Sequence, residues 1–275
     1  MLRDESRDVT LRGFAAAVLP VTAQTVTTAA TGLDAGEVTV AVGDFAMPAY
    51  RAAPAGKTGL PVMLVVSEIF GVHEHVADVA RRFAQLGYLA LAPELFVRQG
   101  DAKAHTDMGK LVSDVISKVP DAQVMADLDA CVAWAHAHGG DTSRLGITGF
   151  CWGGRIVWLY CAHSAAVKAG VAWYGRLVGD ATPPTPRHPV DIASALQAPV
   201  LGLYGGADAG IPPASVDRMK AALAAGSMSA QRSEFIVYPD APHAFHADYR
   251  ASYRKDAAQD GWARCVAWFK GHGVA

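Results

Sequence analysis

The sequence predicts an α/β fold, with a mostly parallel central sheet and helices on both faces. Two observations predict it. Short apolar runs bounded by Gly, Pro and Asp alternate with longer stretches of helical period from residue 37 onward. Several of those runs are apolar throughout, as expected of strands covered on both faces. A parallel return needs a crossover, so this alternation closes a parallel sheet flanked by helices.

Residues 37–42 (EVTVAV) alternate apolar and polar as a half-buried strand does, and 47–53 pairs with them as a hairpin across Gly43-Asp44. Residues 61–67 (PVMLVVS) read as a central strand. Residues 75–86 have helical period and stop at Gly87, and 88–92 is a short apolar strand. A long amphipathic helix is expected over 121–138, ending at Gly139-Gly140. Strand 144–150 then leads into helix 153–163. Strands follow at 169–173, 199–204 and 234–238, with a helix at 212–225 and a closing helix at 249–270.

The chain has 275 residues, 51% hydrophobic and 18% charged, with a net charge of −2. That composition buries a large core, and the balanced charge offers no broad basic surface to nucleic acid or to an anionic membrane. The expected organisation is an N-terminal arm over 1–36 and one folded domain over 37–275. In the arm, Arg12-Gly13-Phe14 precedes a short apolar run, a weakened form of a twin-arginine export signal, with Leu11 where the second arginine would stand. The expectation is a retained arm packed on the domain and a cytoplasmic protein, with periplasmic export as the alternative. No run is long and apolar enough for a membrane-spanning helix. The four cysteines, Cys131, Cys151, Cys161 and Cys265, contain no CxxC pair.

In sheets of this kind the reactive groups collect at the carboxyl ends of the strands. Glu68, Cys151, Asp208 and His243 all fall there. Gly149-Phe150-Cys151-Trp152-Gly153 has the pattern of a nucleophile elbow, with cysteine at its apex, between a predicted strand and a predicted helix. The glycines let strand and helix approach, and the helix N-terminus favours a thiolate. Read without that motif, Cys151 is a small core residue, and the other three cysteines lie inside helical runs. Asp208 and His243 follow the nucleophile in the order this fold class uses, each on a loop just past a strand. Asp208 could instead cap the next helix. Asp240 and His246 are rivals, but Asp240 lies too close to His243 to face it easily, and His246 lies further along.

These residues sit in six stretches that together resemble the dienelactone hydrolase family of the α/β-hydrolase fold. They are Glu68-Ile69-Phe70-Gly71, Ala92-Pro93-Glu94-Leu95-Phe96-Val97-Arg98-Gln99, Gly149-Phe150-Cys151-Trp152-Gly153-Gly154, Trp173-Tyr174-Gly175, Gly206-Ala207-Asp208 and His243-Ala244-Phe245. The resemblance implies an ester or lactone hydrolase working through a thioester on Cys151, with Asp208 and His243 completing a triad. It implies that Glu68 can take the thiol proton, that the backbone N–H groups of Ile69 and Trp152 form the oxyanion hole, and that Arg98 grips a substrate carboxylate beside Phe96, Trp173 and Tyr174. A second carboxylate-binding arginine of the family is replaced here by Ala247. No cofactor or metal is implied, the partner is a small ester or lactone, and the assembly is a monomer or small homo-oligomer.

Two other readings compete. One is a non-catalytic ligand-binding protein on a hydrolase fold, which would not need Glu68, Cys151, Asp208 and His243 together. The other is a metal enzyme using His73 and His75, whose i, i+2 spacing at a helix start does not place them on one face.

Overall fold

The computed structural model describes residues 25–275. The strands among them are β1 (Leu33–Val42), β2 (Phe45–Pro54), β3 (Leu60–Val66), β4 (Leu89–Pro93), β5 (Gly140–Phe150), β6 (Val167–Trp173), β7 (Val200–Gly205) and β8 (Glu234–Tyr238). They form one sheet in the order β1-β2-β4-β3-β5-β6-β7-β8. β1 pairs antiparallel with β2, and β2 antiparallel with β4, while every other neighbouring pair is parallel. The longer helices are α1 (Glu74–Gln85), α2 (Met108–Asp114), α3 (Asp121–Ala137), α4 (Trp152–His163), α5 (Pro213–Ala224) and α6 (Lys255–Gly271).

Alternation along β6 shows helices on both faces. Gly170 lies against Val157 and Cys161 of α4, whereas the oppositely directed Trp173 lies against Gly261 of α6. The central strand is dry, with Val62, Met63, Leu64, Val65 and Val66 fully buried. Each contributes roughly 1.5–3 kcal/mol of transfer free energy. β5 lies between β3 and β6, which puts its carboxyl end, and Cys151 after it, at the middle of the sheet edge.

Boundaries differ from the sequence expectation by more than two residues in three places. β1 begins at Leu33 and β5 at Gly140, each earlier than the alternation suggests, because pairing with Pro54 and Leu60 continues the ladders. The closing helix begins at Lys255, not at residue 249. Over 244–253 the backbone makes i to i−3 turns, with Ala247, Arg250 and Tyr253 donating to Ala244, Ala247 and Arg250. Tyr249 and Arg250 are thereby directed at Glu68. Helix α2 was not foreseen.

The end of the expected N-terminal arm packs along α1. Val26 N–H donates to Asp248 and Thr28 N–H to Asp78, while Arg81 donates to the Thr28 carbonyl and the Gln85 amide to the carbonyls of Ala29 and Thr31. The export-like segment at residues 11–20 lies outside the described residues. Among the described residues no helix is long and apolar enough to cross a membrane.

Candidate active site

Cys151 forms the junction between β5 and α4, with φ 55° and ψ −113°. A non-glycine residue in that region is strained and persists only where its surroundings fix it. Here they do. Cys151 N–H donates to the Trp173 carbonyl at 2.9 Å, and its own carbonyl accepts from Arg155 N–H at 3.2 Å. A β-carbon on Gly149 would fall 2.4 Å from the Gly153 carbonyl oxygen, and one on Gly153 would fall 2.4 Å from the carbonyl of Val66. Only glycine permits this strand–helix approach. The half-buried Cys151 contrasts with Cys131, Cys161 and Cys265, which are buried and whose thiols burial holds well above the usual range.

His243 and Asp208 meet at this junction from the ends of β8 and β7. His243 Nδ1 lies 2.7 Å from Asp208 Oδ2, and the other carboxylate oxygen accepts from Gly210 N–H at 2.8 Å. Ala244, at φ 60°, turns the chain immediately after the histidine. Burial alone would lower the imidazolium's affinity for its proton. The hydrogen bond to Asp208 and the neighbouring Cys151 sulfur, with the charges of both, outweigh it and push the His243 pKa up to about 10. The rivals stand elsewhere. Asp240 is exposed. His246 is buried among Phe150, Trp173 and His75, and burial holds it well below the usual imidazole range.

After β3 the chain makes a turn in which Gly71 N–H donates to the Glu68 carbonyl at 3.3 Å. Ile69 occupies the second position of that turn, and its N–H is not bonded within it. Trp152 is the first residue of α4, where an N–H has no partner within the helix. Neither N–H meets an acceptor among the described residues, and both residues line the cavity that Cys151 opens into. Glu94 fastens this turn. Its Oε2 accepts Val72 N–H at 3.2 Å and lies 2.6 Å from where a β-carbon on Gly71 would sit, while Oε1 accepts from Lys103 Nζ at 2.6 Å.

Glu68 is 2% exposed and does not line the cavity. Its Oε2 accepts the Tyr249 hydroxyl at 2.9 Å, with Arg250 Nη1 at 3.6 Å, and its buried Oε1 has no hydrogen-bond partner among the described residues. His73 Nε2 lies 3.2 Å from the same hydroxyl, so His73 belongs to the surroundings of Glu68. His75 pairs instead with Asp248 at 3.1 Å. Among the described residues no group of three or more His, Cys, Asp or Glu side chains is arranged to hold a metal ion.

The cavity measures about 580 Å³ and is walled by Ile69, Val112, Ile116, Trp152, Tyr174 and Ile211, with Cys151, Asp208 and His243 at one side. Of the four expected substrate-binding residues, it brings in Tyr174 alone. The Tyr174 phenol is buried without a hydrogen-bond partner among the described residues, and burial, then the Glu68 charge, holds it well above the usual range. Phe96 packs edge-on against Trp152 at 4.7 Å, behind the wall. Trp173 stacks on Phe150 and donates its indole N–H to Thr148 at 3.1 Å.

Arg98 departs furthest from expectation. Its guanidinium makes two bonds to Asp127, of 2.7 and 2.8 Å, and lies over the Phe45 ring at 4.1 Å. Asp127 is fully buried on α3, so Arg98 neutralises a core carboxylate and does not line the cavity. Arg98→Ala is therefore expected to destabilise the fold by about 3–5 kcal/mol, the usual result of stranding a buried charge. Denaturant titration would measure it, and a loss under about 1 kcal/mol would contradict this account.

Residues 47–273 match the sequence profile of the dienelactone hydrolase family. The chain belongs to this family. A protein of Methylorubrum extorquens provisionally named a carboxymethylenebutenolidase is 63% identical over 265 residues, 96% of this chain and 90% of that one. An Escherichia coli protein with the same provisional name is 53% identical over 262 residues, 95% of this chain and 96% of its own. The crystal structure of a Klebsiella pneumoniae protein, provisionally a dienelactone hydrolase, superposes with a TM-score of 0.84 at 56% identity, covering 86% of this chain and 98% of that one. The α/β-hydrolase fold of the family agrees with the sheet and helices described above.

Proposed function

We propose that the protein hydrolyses small esters or lactones by nucleophilic attack from Cys151, through a thioester acyl-enzyme. The observation that carries this reading is the meeting of Asp208, His243 and Cys151 at the edge of a largely apolar cavity, with His243 bonded to Asp208 at 2.7 Å. His243 is held as imidazolium against the Cys151 sulfur, which attacks as thiolate. Sulfur bonds to the substrate carbonyl carbon, and the carbonyl oxygen becomes an oxyanion facing the Ile69 and Trp152 N–H groups. Collapse breaks the C–O bond. His243 gives its proton to the leaving oxygen, which in a lactone stays tethered to the acyl chain. Water then attacks the thioester and His243 takes a proton from it. The acid leaves and the thiolate–imidazolium pair is restored. Should the resting pair instead be thiol and imidazole, Glu68 is the acceptor for the thiol proton that the family resemblance implies, its Oε1 having no hydrogen-bond partner among the described residues.

The test is to incubate the protein with p-nitrophenyl acetate, quench in acid and map the acetyl group by peptide mass. An adduct on the Cys151 peptide, with a burst of nitrophenol, is expected. Hydrolysis with no adduct there would refute the covalent route.

The same route gives Glu94 a positioning role, since it fastens the turn presenting Ile69 N–H. Glu94→Ala is expected to lower kcat about tenfold at nearly unchanged KM, because a displaced oxyanion donor acts on the transition state more than on bound ester. Glu94→Gln keeps an acceptor oxygen and should recover most of the rate. Steady-state kinetics on the acetate ester separate these outcomes, and a change confined to KM would argue against the role.

A further inference from the structure

We propose that Tyr249 and His73 are positioning residues for the reaction: together they engage one oxygen of the buried Glu68 carboxylate and reserve its other oxygen for the Cys151 proton. The inference rests on the reading of Glu68 as acceptor for that proton. Glu68 and Cys151 stand at one level of the sheet edge. Val66 of β3 pairs with Gly149 of β5, and each of the two lies two residues beyond that pair. A β-carbon on Gly153 would fall 2.6 Å from the Ser67 carbonyl oxygen, so the first turn of α4 is pressed against the residue before Glu68. The Tyr249 phenol feels the charge of both Glu68 and Cys151.

The direction of each hydrogen bond follows from proton counting. An ionised carboxylate only accepts. The Tyr249 hydroxyl, 2.9 Å from Glu68 Oε2, is therefore the donor. Burial, then the Glu68 charge, holds that phenol well above its usual range, so it keeps its proton. With its one hydrogen spent on Glu68, the phenol oxygen meets His73 Nε2, 3.2 Å away, only as an acceptor. His73 then carries its proton on Nε2. Burial, then His75, lowers the His73 pKa to about 3, so the ring is a neutral donor at every working pH. The result is a one-way row, His73 N–H to Tyr249 O–H to Glu68, in which each bond polarises the next.

A buried carboxylate without donors takes up a proton early, and one already protonated cannot accept another. Tyr249 supplies a donor without adding a charge, and Arg250 Nη1, at 3.6 Å, adds a charge beyond bonding distance. Of the other groups nearby, Tyr174 holds its proton, Asp248 is paired with His75 and Arg82, and Lys103 with Glu94. Oε1 is buried and has no hydrogen-bond partner among the described residues, so it is the oxygen left for a proton. When the thiol S–H bond breaks, its electron pair stays on sulfur and the proton bonds to Oε1. Oε2 then becomes the carbonyl oxygen and still accepts from Tyr249, so the row keeps its direction. The proton returns to sulfur when the thioester is hydrolysed.

The test reads Glu68 directly. The infrared band of its protonated carboxyl, identified by its loss in Glu68→Gln, is titrated against pH without substrate. Tyr249→Phe should raise the midpoint by about one pH unit or more, the effect of removing a donor from a charged acceptor. His73→Ala should raise it less, since it acts through the phenol, and His73→Gln, which keeps an N–H donor, should restore it. The acidic limb of kcat/KM on p-nitrophenyl acetate should move by the same amount in each variant, and Tyr249→Phe should add no shift on a Glu68→Gln background. A uniform loss of rate with both midpoints unmoved would mean a structural role only and overturn the inference. A band that moves while the limb does not would take Glu68 off the proton path and overturn it too, leaving hydrolysis through Cys151 to stand on its acetyl adduct. Should the wild type not cleave the ester, the hydrolase reading fails, and the infrared midpoint and the pH dependence of Cys151 alkylation by iodoacetamide decide the inference. Both shifted by Tyr249→Phe support it, and either one unmoved overturns it.

Discussion

Replacing Cys151 by alanine is expected to reduce ester turnover on the order of 10⁴-fold or more, the scale on which losing a covalent nucleophile is felt. The expectation comes from geometry that the other cysteines lack. Cys151 has the strained φ of 55°, the contact with His243 and a place in the cavity wall. Cys131, Cys161 and Cys265 are enclosed in apolar surroundings that hold their thiols protonated. Alanine at any of those three should leave kcat near its original value and lower stability by about 1 kcal/mol for the small cavity created. Turnover measured with a chromogenic ester decides the matter. A Cys151→Ala protein that keeps even a tenth of the activity would rule out the thioester route.

The second large effect is expected for Asp208 and His243, and it is one of coupling. Asp208→Asn and His243→Ala should each lower kcat on the order of 10³- to 10⁴-fold, with the double variant losing about as much as the worse single one, since the two act on one proton. Losses that multiply in the double variant would mean that the residues act independently. The protonation of His243 adds a readout without substrate. Its pKa rises from 6.5 to about 10 in the folded chain. The sign follows from the folded state binding the proton more tightly: this contribution is complete below pH 6.5 and is lost as pH rises through about 10. Wild-type melting temperature should fall across that window relative to His243→Ala. Parallel curves for the two proteins would remove the imidazolium from the account.

Much of this site can be read along the chain because its parts are local. An elbow needs glycines two residues to either side of the nucleophile, and Gly149 and Gly153 stand there for a steric reason. Asp208 and His243 each follow directly from a strand. Arg98 was misplaced because its partner is 29 residues away. A signal for that partner was present nonetheless. Asp127 falls on the same stripe of α3 as Val124, Leu128, Cys131 and Ala135, all buried, and a charge on a buried stripe needs a counter-charge. Tyr249 was hidden by the helical look of its neighbours and lies 181 residues from Glu68, which no periodicity links to it. The stretch with Arg176, Asp180 and His188 has no repeating pattern, and its place on the cavity follows only from the docking of Gly175 on Gly154.

The strip of chain from Val26 to Thr31 has a consequence for maturation. Its backbone is tied to Asp248, Asp78, Arg81 and Gln85, and Arg81 and Asp78 also bond to each other. A protease meeting the folded molecule finds this strip already occupied, since cleavage needs several residues in extended, detachable form. Trimming past Thr31 would uncover two carboxylates and a guanidinium along a helix that begins next to His73, and so close to Glu68. Cleavage within Val26–Thr31 is therefore expected to be slow once the chain has folded.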